Sequence, residues 1–301
     1  MFKSIFKPRN NQELKVENHS GVLRVIGDRA AGKTTYMAAL ARWPNADISS
    51  PVELVTPANK DGESLIRQAQ DLIEKGLQIE PTRLASDVLE IKDYSLRIVL
   101  KKTDNSKFSN TVLNLDISCK DYSGEFFSDV LQETNSQLLR DYLNDCFPAT
   151  GIMLMIDGTT HRKDLEYARG VDQLLVALAG GNIFSQKRRI ALVLTKCELA
   201  DLWGNRHKPK FLLKARFPTI FKRLESWQDL GMGNVEYFTT SAFGATRNQN
   251  KYFQPNSEEI YRDRSGVASV LGDSKKWRPF GLVSPIYWIC TGKRNLHLEQ
   301  D

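Results

Sequence analysis

The stretch of sequence that decides the fold reads Gly27-Asp28-Arg29-Ala30-Ala31-Gly32-Lys33-Thr34-Thr35. It fits the pattern G-x-x-x-x-G-K-[ST], in which a glycine-rich loop surrounds a phosphate group. The pattern is informative only between a strand and a helix. Here residues 22–26 are an apolar run, and residues 36–42 favour a helix. The stretch therefore predicts a phosphate-binding loop at the end of a strand.

The residue types in this loop have separate physical reasons. Gly27 and Gly32 permit backbone conformations that a Cβ penalises, so the loop N–H groups can point at a phosphate. The helix that follows adds a positive dipole end. Lys33 is expected to contact the β- and γ-phosphates, and Thr34 to place its hydroxyl on Mg²⁺. We expect all of residues 27–35 to contribute to nucleotide binding.

The composition is that of a globular protein with a sizeable core. The 301 residues are 41% apolar and 26% charged, and the net charge of +6 is mild for this length. Such a charge does not require a nucleic-acid partner, and we expect none. The four cysteines are widely spaced and form no C-x-x-C pair, which favours reduced thiols in a cytoplasmic protein. No apolar run reaches the length of a transmembrane segment.

The predicted domain covers residues 20–291. A flexible basic segment, 1–19, precedes it, and a tail, 292–301, follows it. A frayed terminus is the favoured interpretation of the first segment, with a weak peripheral membrane contact as the alternative. Residues 44–60 are expected to form a loop, which together with a helix at 61–79 makes a helical insert at about 44–80. The polar residues 245–278 are expected to form a long loop.

Strand-like and helical patterns alternate along the chain, which is typical of a mostly parallel sheet covered on both faces. Residues 96–100 and 111–117 alternate around a polar turn and predict an antiparallel hairpin. Further strands are predicted at 151–158, 189–194 and 235–240, and helices at 126–146, 163–179, 209–230 and 283–289. The predicted fold class is an α/β P-loop NTPase three-layer sandwich with one antiparallel hairpin strand.

A D-x-x-G sequence, Asp121–Gly124, follows the second strand of that hairpin. A carboxylate at a strand end can hold a water on Mg²⁺, and the glycine can offer its N–H to a γ-phosphate. The alternative interpretation is a surface turn, because the short motif is common by chance.

Two more strand ends carry polar residues, Thr195–Glu198 and Ser241-Ala242. The Glu198 carboxylate can accept from N1–H and N2–H₂ of guanine, whereas adenine presents an acceptor at that edge. Lys196 can lay its methylene groups along the base, and the Ala242 N–H can donate to the guanine O6. The alternatives are a solvated strand end and a plain turn.

At this point the chain resembles, over about residues 20–291, the Ras-like GTPases of the TRAFAC class. Their motifs occur here in order as Gly27–Thr34, Thr82, Asp121–Gly124, Thr195–Glu198 and Ser241-Ala242. The resemblance implies that Thr82 and Asp121 join Thr34 as Mg²⁺ ligands. The extra helix, the G-K-T-T-Y sequence and a late Pro-x-x-Trp look more like the bacterial conflict-system double-GTPase families.

Three residues depart from that pattern. Glu198 stands where aspartate is usual, which moves the carboxylate by about a bond length. Glu125 follows the D-x-x-G, where a glutamine usually orients water. Arg29 replaces a small loop residue, and it can stabilise transition-state charge, block a partner's arginine or point to solvent. The candidate catalytic residues are therefore Lys33, Glu125 and Arg29.

The motifs together imply a switch that binds GTP with Mg²⁺ and hydrolyses it slowly to GDP. Segments near 80–95 and 121–140 are expected to change with the nucleotide and to be read by an effector or regulatory protein. One alternative is an ATP-dependent phosphotransferase or ATPase with a lid at 245–278. The other is a nucleotide-binding interaction module with little turnover.

Overall fold

The computed structural model describes residues 15–45, 50–75, 88–101, 111–131, 137–180, 188–248, 250, 252–263 and 266–299. Its centre is a seven-stranded sheet with the order β2-β3-β4-β1-β5-β6-β7. The strands are β1 (Lys15–Gly27), β2 (Val52–Pro57), β3 (Asp93–Leu100), β4 (Thr111–Asp121), β5 (Gly151–Asp157), β6 (Arg188–Thr195) and β7 (Gly233–Thr239). Only β3 runs against its neighbours within this sheet, since it pairs antiparallel with both β2 and β4. The mostly parallel sheet with one antiparallel strand is confirmed.

Helices cover both faces of the sheet. They are α1 (Lys33–Arg42), α2 (Lys60–Lys75), α3 (Gly124–Leu131), α4 (Gln137–Asp145), α5 (Asp164–Gly180), α6 (Ala200–Trp203), α7 (Pro209–Arg216), α8 (Pro218–Asp229) and α9 (Ser284–Thr291). One buried apolar cluster contains side chains from α1, α2 and α9, and the other contains side chains from α3 to α8. The three-layer sandwich is therefore confirmed. Within the described ranges, none of the helices combines the length and apolar character that crossing a bilayer requires.

The central strands explain why the sequence patterns worked. All residues of β5 are buried, as are all but the first two of β6, so each reads as a continuous apolar run. Strands of this kind occur where both faces of a parallel sheet are covered. Because they run in the same direction, their carboxyl ends meet at one edge of the sheet.

The expected loop at 44–60 is wrong in part, because it contains strand β2. Pro51 precedes this strand and Pro57 is its last residue, and a register shift between Val52 and Leu54 breaks the regular alternation of buried side chains. Val52 and Val55 are buried, so the apolar spacing does not have the period of two that marks a strand. An edge position tolerates such prolines and bulges.

The expected long loop at 245–278 is also wrong in part. It contains two antiparallel hairpins, built from β8 (Ala245–Arg247) with β9 (Phe253–Pro255), and from β10 (Ser257–Asp263) with β11 (Gly266–Leu271). Most of the described residues of β10 are exposed, so no apolar alternation reveals them in the sequence.

Two predicted helices are divided. The run 126–146 contains α3 and α4, and residues 132–136 lie outside the described residues. The run 209–230 is broken before Pro218, because proline is favoured in the first turn of a new helix and not inside one. Of the segment 1–19, which was expected to be flexible, residues 15–19 belong to β1 and the rest is outside the described residues.

Candidate functional site

The phosphate-binding loop connects β1 to α1 as predicted. A Cβ at Gly27 would lie 2.2 Å from the carbonyl oxygen of Met155. Gly32 has a φ of 82°, in the left-handed region, and is the N-cap of α1. Both glycines are therefore required by the backbone, the first for close approach and the second for its conformation.

Lys33 points its ammonium group into the loop. Its Nζ donates hydrogen bonds to the carbonyl oxygens of Gly27 (2.9 Å) and Asp28 (3.1 Å). Burial lowers the pKa of Lys33, while the carboxylates of Asp121 and Asp28 oppose this shift. A buried cation at the centre of a loop of backbone N–H groups is suited to bind an anion.

Asp121 and Thr34 meet at the end of β4. The Thr34 hydroxyl donates a 2.7 Å hydrogen bond to Oδ2 of Asp121, and Asp121 is fully buried. A hydroxyl and a carboxylate side by side form a hard oxygen donor set that suits Mg²⁺. The third expected ligand, Thr82, lies outside the described residues.

The D-x-x-G turn packs directly on the phosphate-binding loop. A Cβ at Gly124 would lie 2.4 Å from the backbone N of Arg29 and 2.5 Å from its Cα. Gly124 begins α3, and the exposed Glu125 follows in its first turn. Arg29 is also exposed. Two of the three candidate catalytic side chains, Arg29 and Glu125, therefore lie on adjoining surface segments at this junction.

The third predicted motif is fastened to the same loop. The Thr195 hydroxyl donates to the carbonyl oxygen of Ala31 (2.9 Å). The Lys196 ammonium donates to the carbonyl oxygen of Ala30 (2.6 Å) and to Oδ2 of Asp157 (2.7 Å). The segment that was predicted to read a base thus holds the segment that was predicted to bind phosphates.

Glu198 is buried, and its Oε2 has no hydrogen-bond partner among the described residues. Burial raises the pKa of Glu198 to about 7, although a hydrogen bond from Ser241 and the charge of Lys196 act in the opposite direction. A buried carboxylate oxygen without a donor is costly unless a ligand supplies one. The site therefore fits a ligand that presents N–H groups.

The Ser241-Ala242 turn is fixed in place beside Glu198. Ser241 and Phe280 exchange two backbone hydrogen bonds of 3.1 Å, and the Trp277 indole donates to the carbonyl oxygen of Ala242 (2.8 Å). The Ser241 hydroxyl also accepts from the N–H of Gly244 (2.7 Å). The turn is thus held by Gly244, just before the hairpins β8–β11, and by Trp277 and Phe280, which follow them.

Three buried polar residues near the loop, Lys163, Tyr167 and Asp157, belong to no sequence motif. Oδ2 of Asp28 accepts from the Lys163 ammonium (2.5 Å) and from the Tyr167 hydroxyl (2.8 Å), and Asp157 holds Lys196. Lys163 lies in a single 3-10 turn after β5 and Tyr167 on α5. Their spacing in the sequence fits no motif, and only the fold brings these three residues next to the loop.

Most of the predicted site residues therefore converge at the carboxyl ends of β1, β4, β6 and β7. The converging residues are those of the loop 27–35 together with Asp121, Gly124, Thr195, Lys196, Glu198, Ser241 and Ala242. Asp157 adds the carboxyl end of β5 to this group.

The fold and the site define a P-loop α/β domain with additional polar groups on neighbouring strand ends. No protein-family model matches the sequence, and no curated protein matches it. Among solved structures, it is similar to the signal recognition particle receptor complex SRb-GTP/SRX of Chaetomium thermophilum, with 14% identity, 74% of this chain and 91% of that chain covered, and a TM-score of 0.43.

Two further solved structures show weaker likeness. The Arl6 small GTPase of Trypanosoma brucei, with a bound nucleotide analogue, is 10% identical over 74% of this chain and 87% of that chain, with a TM-score of 0.34. Bacterial selenocysteine-specific elongation factor EF-Sec is 15% identical over 74% of this chain, with a TM-score of 0.32, and this chain covers 25% of its length.

Proposed function

We propose that this protein binds GTP with Mg²⁺ and acts as a molecular switch that hydrolyses GTP slowly to GDP and phosphate. The observation that carries the proposal is the position of Glu198. Its buried carboxylate has an oxygen without a hydrogen-bond partner among the described residues, and Lys196, two residues earlier, is bonded to the phosphate-binding loop. A base-reading carboxylate so close to a phosphate-binding loop fits a guanine nucleotide.

Guanine is favoured by the chemistry of the Glu198 oxygens. The base presents two adjacent N–H donors, and a carboxylate can accept from both. Adenine presents a ring nitrogen instead, which would leave the buried carboxylate facing another acceptor. The energetic penalty of that arrangement discriminates between the two bases.

The phosphates are expected to lie on the loop. The N–H groups of residues 27–35 and the Lys33 ammonium would neutralise their negative charge. Thr34 and Asp121 would hold Mg²⁺, which supplies further neutralisation of the β- and γ-phosphates when bound. Thr82 remains the expected third ligand.

We expect hydrolysis to be slow because of two exposed side chains beside the loop, Glu125 and Arg29. Glu125 can orient a water through its carboxylate, but its negative charge opposes the γ-phosphate. Arg29 is the candidate for stabilising charge that develops in the transition state. The segments near 80–95 and 121–140 are the expected moving parts, and an unidentified effector or regulatory protein would read them. The closer likeness to bacterial conflict-system GTPases and a cytoplasmic location are parts of this proposal.

Binding and turnover of the purified protein test the proposal. GTP and GDP are expected to bind at least about tenfold more tightly than ATP, a difference of about 1.4 kcal/mol. Equal or tighter ATP binding would remove the guanine assignment and favour an ATP-dependent enzyme. With γ-labelled GTP, the label should appear in inorganic phosphate, and Lys33→Ala should abolish its release. Undetectable release from the wild type would favour an interaction module.

A further inference from the structure

The phosphate-binding loop contains a carboxylate of its own, Asp28, whose charge would repel a bound phosphate. The Asp28 side chain is buried, and both of its carboxylate oxygens accept hydrogen bonds. Oδ2 accepts from the Lys163 ammonium at 2.5 Å and from the Tyr167 hydroxyl at 2.8 Å, and Oδ1 accepts from the backbone N–H of Arg29 at 2.7 Å. The Lys163 and Asp28 side chains are only 10% and 7% exposed.

Because the ion pair is buried, the charge of Asp28 has a large effect when it is unpaired and a small one when Lys163 neutralises it. In a medium of low dielectric, an unpaired carboxylate would repel phosphate oxygens strongly, because little water screens the charges. Paired with Lys163, the same carboxylate is neutralised and can serve as a fixed acceptor for a loop N–H. Removing one partner of such a pair costs more than removing both, since the remaining charge is left buried without compensation.

The pair also belongs to a closed path of hydrogen bonds under the loop. The Tyr167 hydroxyl lies 3.2 Å from Oγ1 of Thr160, which donates to the carbonyl oxygen of Asp157 (2.8 Å). The Asp157 carboxylate accepts from Lys196, which donates in turn to the carbonyl oxygen of Ala30. The path therefore begins at Asp28 and ends at Ala30, the two residues that flank the exposed Arg29 in sequence.

We propose that Lys163 is a positioning residue for the phosphate-binding loop: it neutralises Asp28 and, with Tyr167, holds residues 28–30 in their binding shape before a nucleotide arrives. This inference rests on the proposed function, because it names a determinant of the same site. A preformed loop binds more tightly, since ordering does not have to occur on binding.

A merely structural ion pair would affect every ligand alike, whereas a charge-neutralising role depends on the number of phosphates. The first experiment therefore compares GTP, GDP and guanosine binding to the full-length protein. Lys163→Met should weaken GTP binding by about 10- to 100-fold, GDP binding less and guanosine binding little. Lys163→Arg, which keeps the charge, should retain binding close to wild type.

The decisive variant is the double substitution Asp28→Asn with Lys163→Met. It removes both charges, so GTP affinity should be at least about threefold higher than in Lys163→Met alone. Lys214→Met, an exposed lysine on α7, is the matched control and should change nothing. Equal losses for all three ligands, or no recovery in the double variant, would overturn the proposal.

A second experiment needs no nucleotide. Amide hydrogen exchange of residues 27–33 in the nucleotide-free protein should be at least about tenfold faster in Lys163→Met than in the wild type or in Lys214→Met. If Lys163→Met does not fold, Tyr167→Phe keeps the ion pair, removes the hydroxyl contacts with Asp28 and Thr160, and should accelerate the same amides to a smaller extent. Unchanged exchange in the folded variant would overturn the role of Lys163, whereas a wild type that binds no guanine nucleotide would overturn the proposed function alone.

Discussion

The Thr34 hydroxyl donates to Oδ2 of Asp121 at 2.7 Å, although 87 residues separate the two in sequence. The contact follows from the sheet, because β1 and β4 pair in parallel with Val25 opposite Asp121. The strand that carries the loop therefore lies next to the strand that carries the carboxylate. Their side-by-side ends create the donor set that suits Mg²⁺.

Replacing Thr34 by alanine removes the hydroxyl from that donor set. We expect GTP affinity in the presence of Mg²⁺ to fall by about 10- to 100-fold, as for the loss of a bond to a charged partner. Titrations with and without EDTA measure this effect. Affinity without Mg²⁺ should change little, and Thr56→Ala, on the edge strand β2, serves as the control. A variant whose affinity still depends on Mg²⁺ to the wild-type extent would contradict the assignment.

Glu198→Gln changes the donor and acceptor pattern at almost constant volume. An amide offers one acceptor and one donor, whereas guanine needs two acceptors at its Watson–Crick edge. Xanthine carries a carbonyl where guanine has its amino group, so the amide matches xanthine. We expect GTP affinity to fall by about 100-fold and the variant to prefer xanthosine triphosphate.

Competition between the two triphosphates measures this preference. Lys33→Ala is the control, since it should weaken both nucleotides equally through their shared phosphates. An unchanged preference for GTP in Glu198→Gln would show that another group reads the base.

The raised pKa of Glu198, about 7, predicts that the proposed binding of guanine to this carboxylate depends on pH. Only the ionised carboxylate accepts from both base donors. GTP affinity should therefore rise about tenfold from about pH 6 to about pH 8, as the ionised fraction increases. Isothermal titration at several pH values tests this dependence. The Glu198→Gln variant should show no such rise for xanthosine triphosphate.

The contribution of Glu198 to the stability of the nucleotide-free protein should fall as pH rises, whereas GTP affinity should increase. The folded protein holds the Glu198 proton up to about pH 7, above the ordinary value of 4.5, so stability from this group falls as pH rises between the two. Relative to wild type, Glu198→Gln should become more stable with rising pH, by on the order of 3 kcal/mol at most. Denaturant unfolding at about pH 5 and about pH 8 measures the difference.

The sequence predicted most of this architecture because the informative residues are locally readable. The continuous apolar run of β5 and the polar residues at strand ends need no distant contact to be recognised. Strand β2 was missed because its register shift disrupts the alternation. Lys163 and Asp157 were missed because their partners lie on other elements, and only the folded chain pairs them.

Asp145 is the centre of a group of polar contacts that connects the D-x-x-G turn to the end of α4. Its carboxylate forms an ion pair with Arg24 (2.8 Å) and accepts hydrogen bonds from the Lys120 ammonium (2.9 Å) and the Tyr122 hydroxyl. Burial would raise the pKa of Asp145, but the hydrogen bonds from Tyr122 and Lys120 and the charge of Arg24 bring it below its usual value. The turn residue Tyr122 is thereby tied to the end of α4.

Asp145→Asn leaves the buried Arg24 without its full countercharge. We expect a loss of about 2 kcal/mol in the free energy of unfolding near neutral pH, measured by urea denaturation. Because the folded pKa is lowered, this contribution is present above the ordinary value of 3.8 and disappears as pH falls below it. Asp116→Asn, which breaks the exposed pair with Arg97, should have a smaller effect.

Gly124 contacts the backbone of Arg29 so closely that a methyl group has no room. A Cβ would lie 2.4 Å from the Arg29 N, and backbone atoms cannot move aside as a flexible side chain can. Gly124→Ala should therefore destabilise the protein by about 1–3 kcal/mol and weaken GTP binding, because the loop or α3 must shift. Thermal unfolding and nucleotide titration measure the two effects.

Gly204 is a matched control for that substitution. It lies just after α6 with a φ of −61°, and a Cβ there would meet nothing within 4 Å. Gly204→Ala should be neutral or stabilise the protein by about 0.5 kcal/mol, since alanine restricts the unfolded chain. Equal effects of the two substitutions would mean that Gly124 does not pack against the loop, and the D-x-x-G turn would then not lie beside the proposed phosphate site.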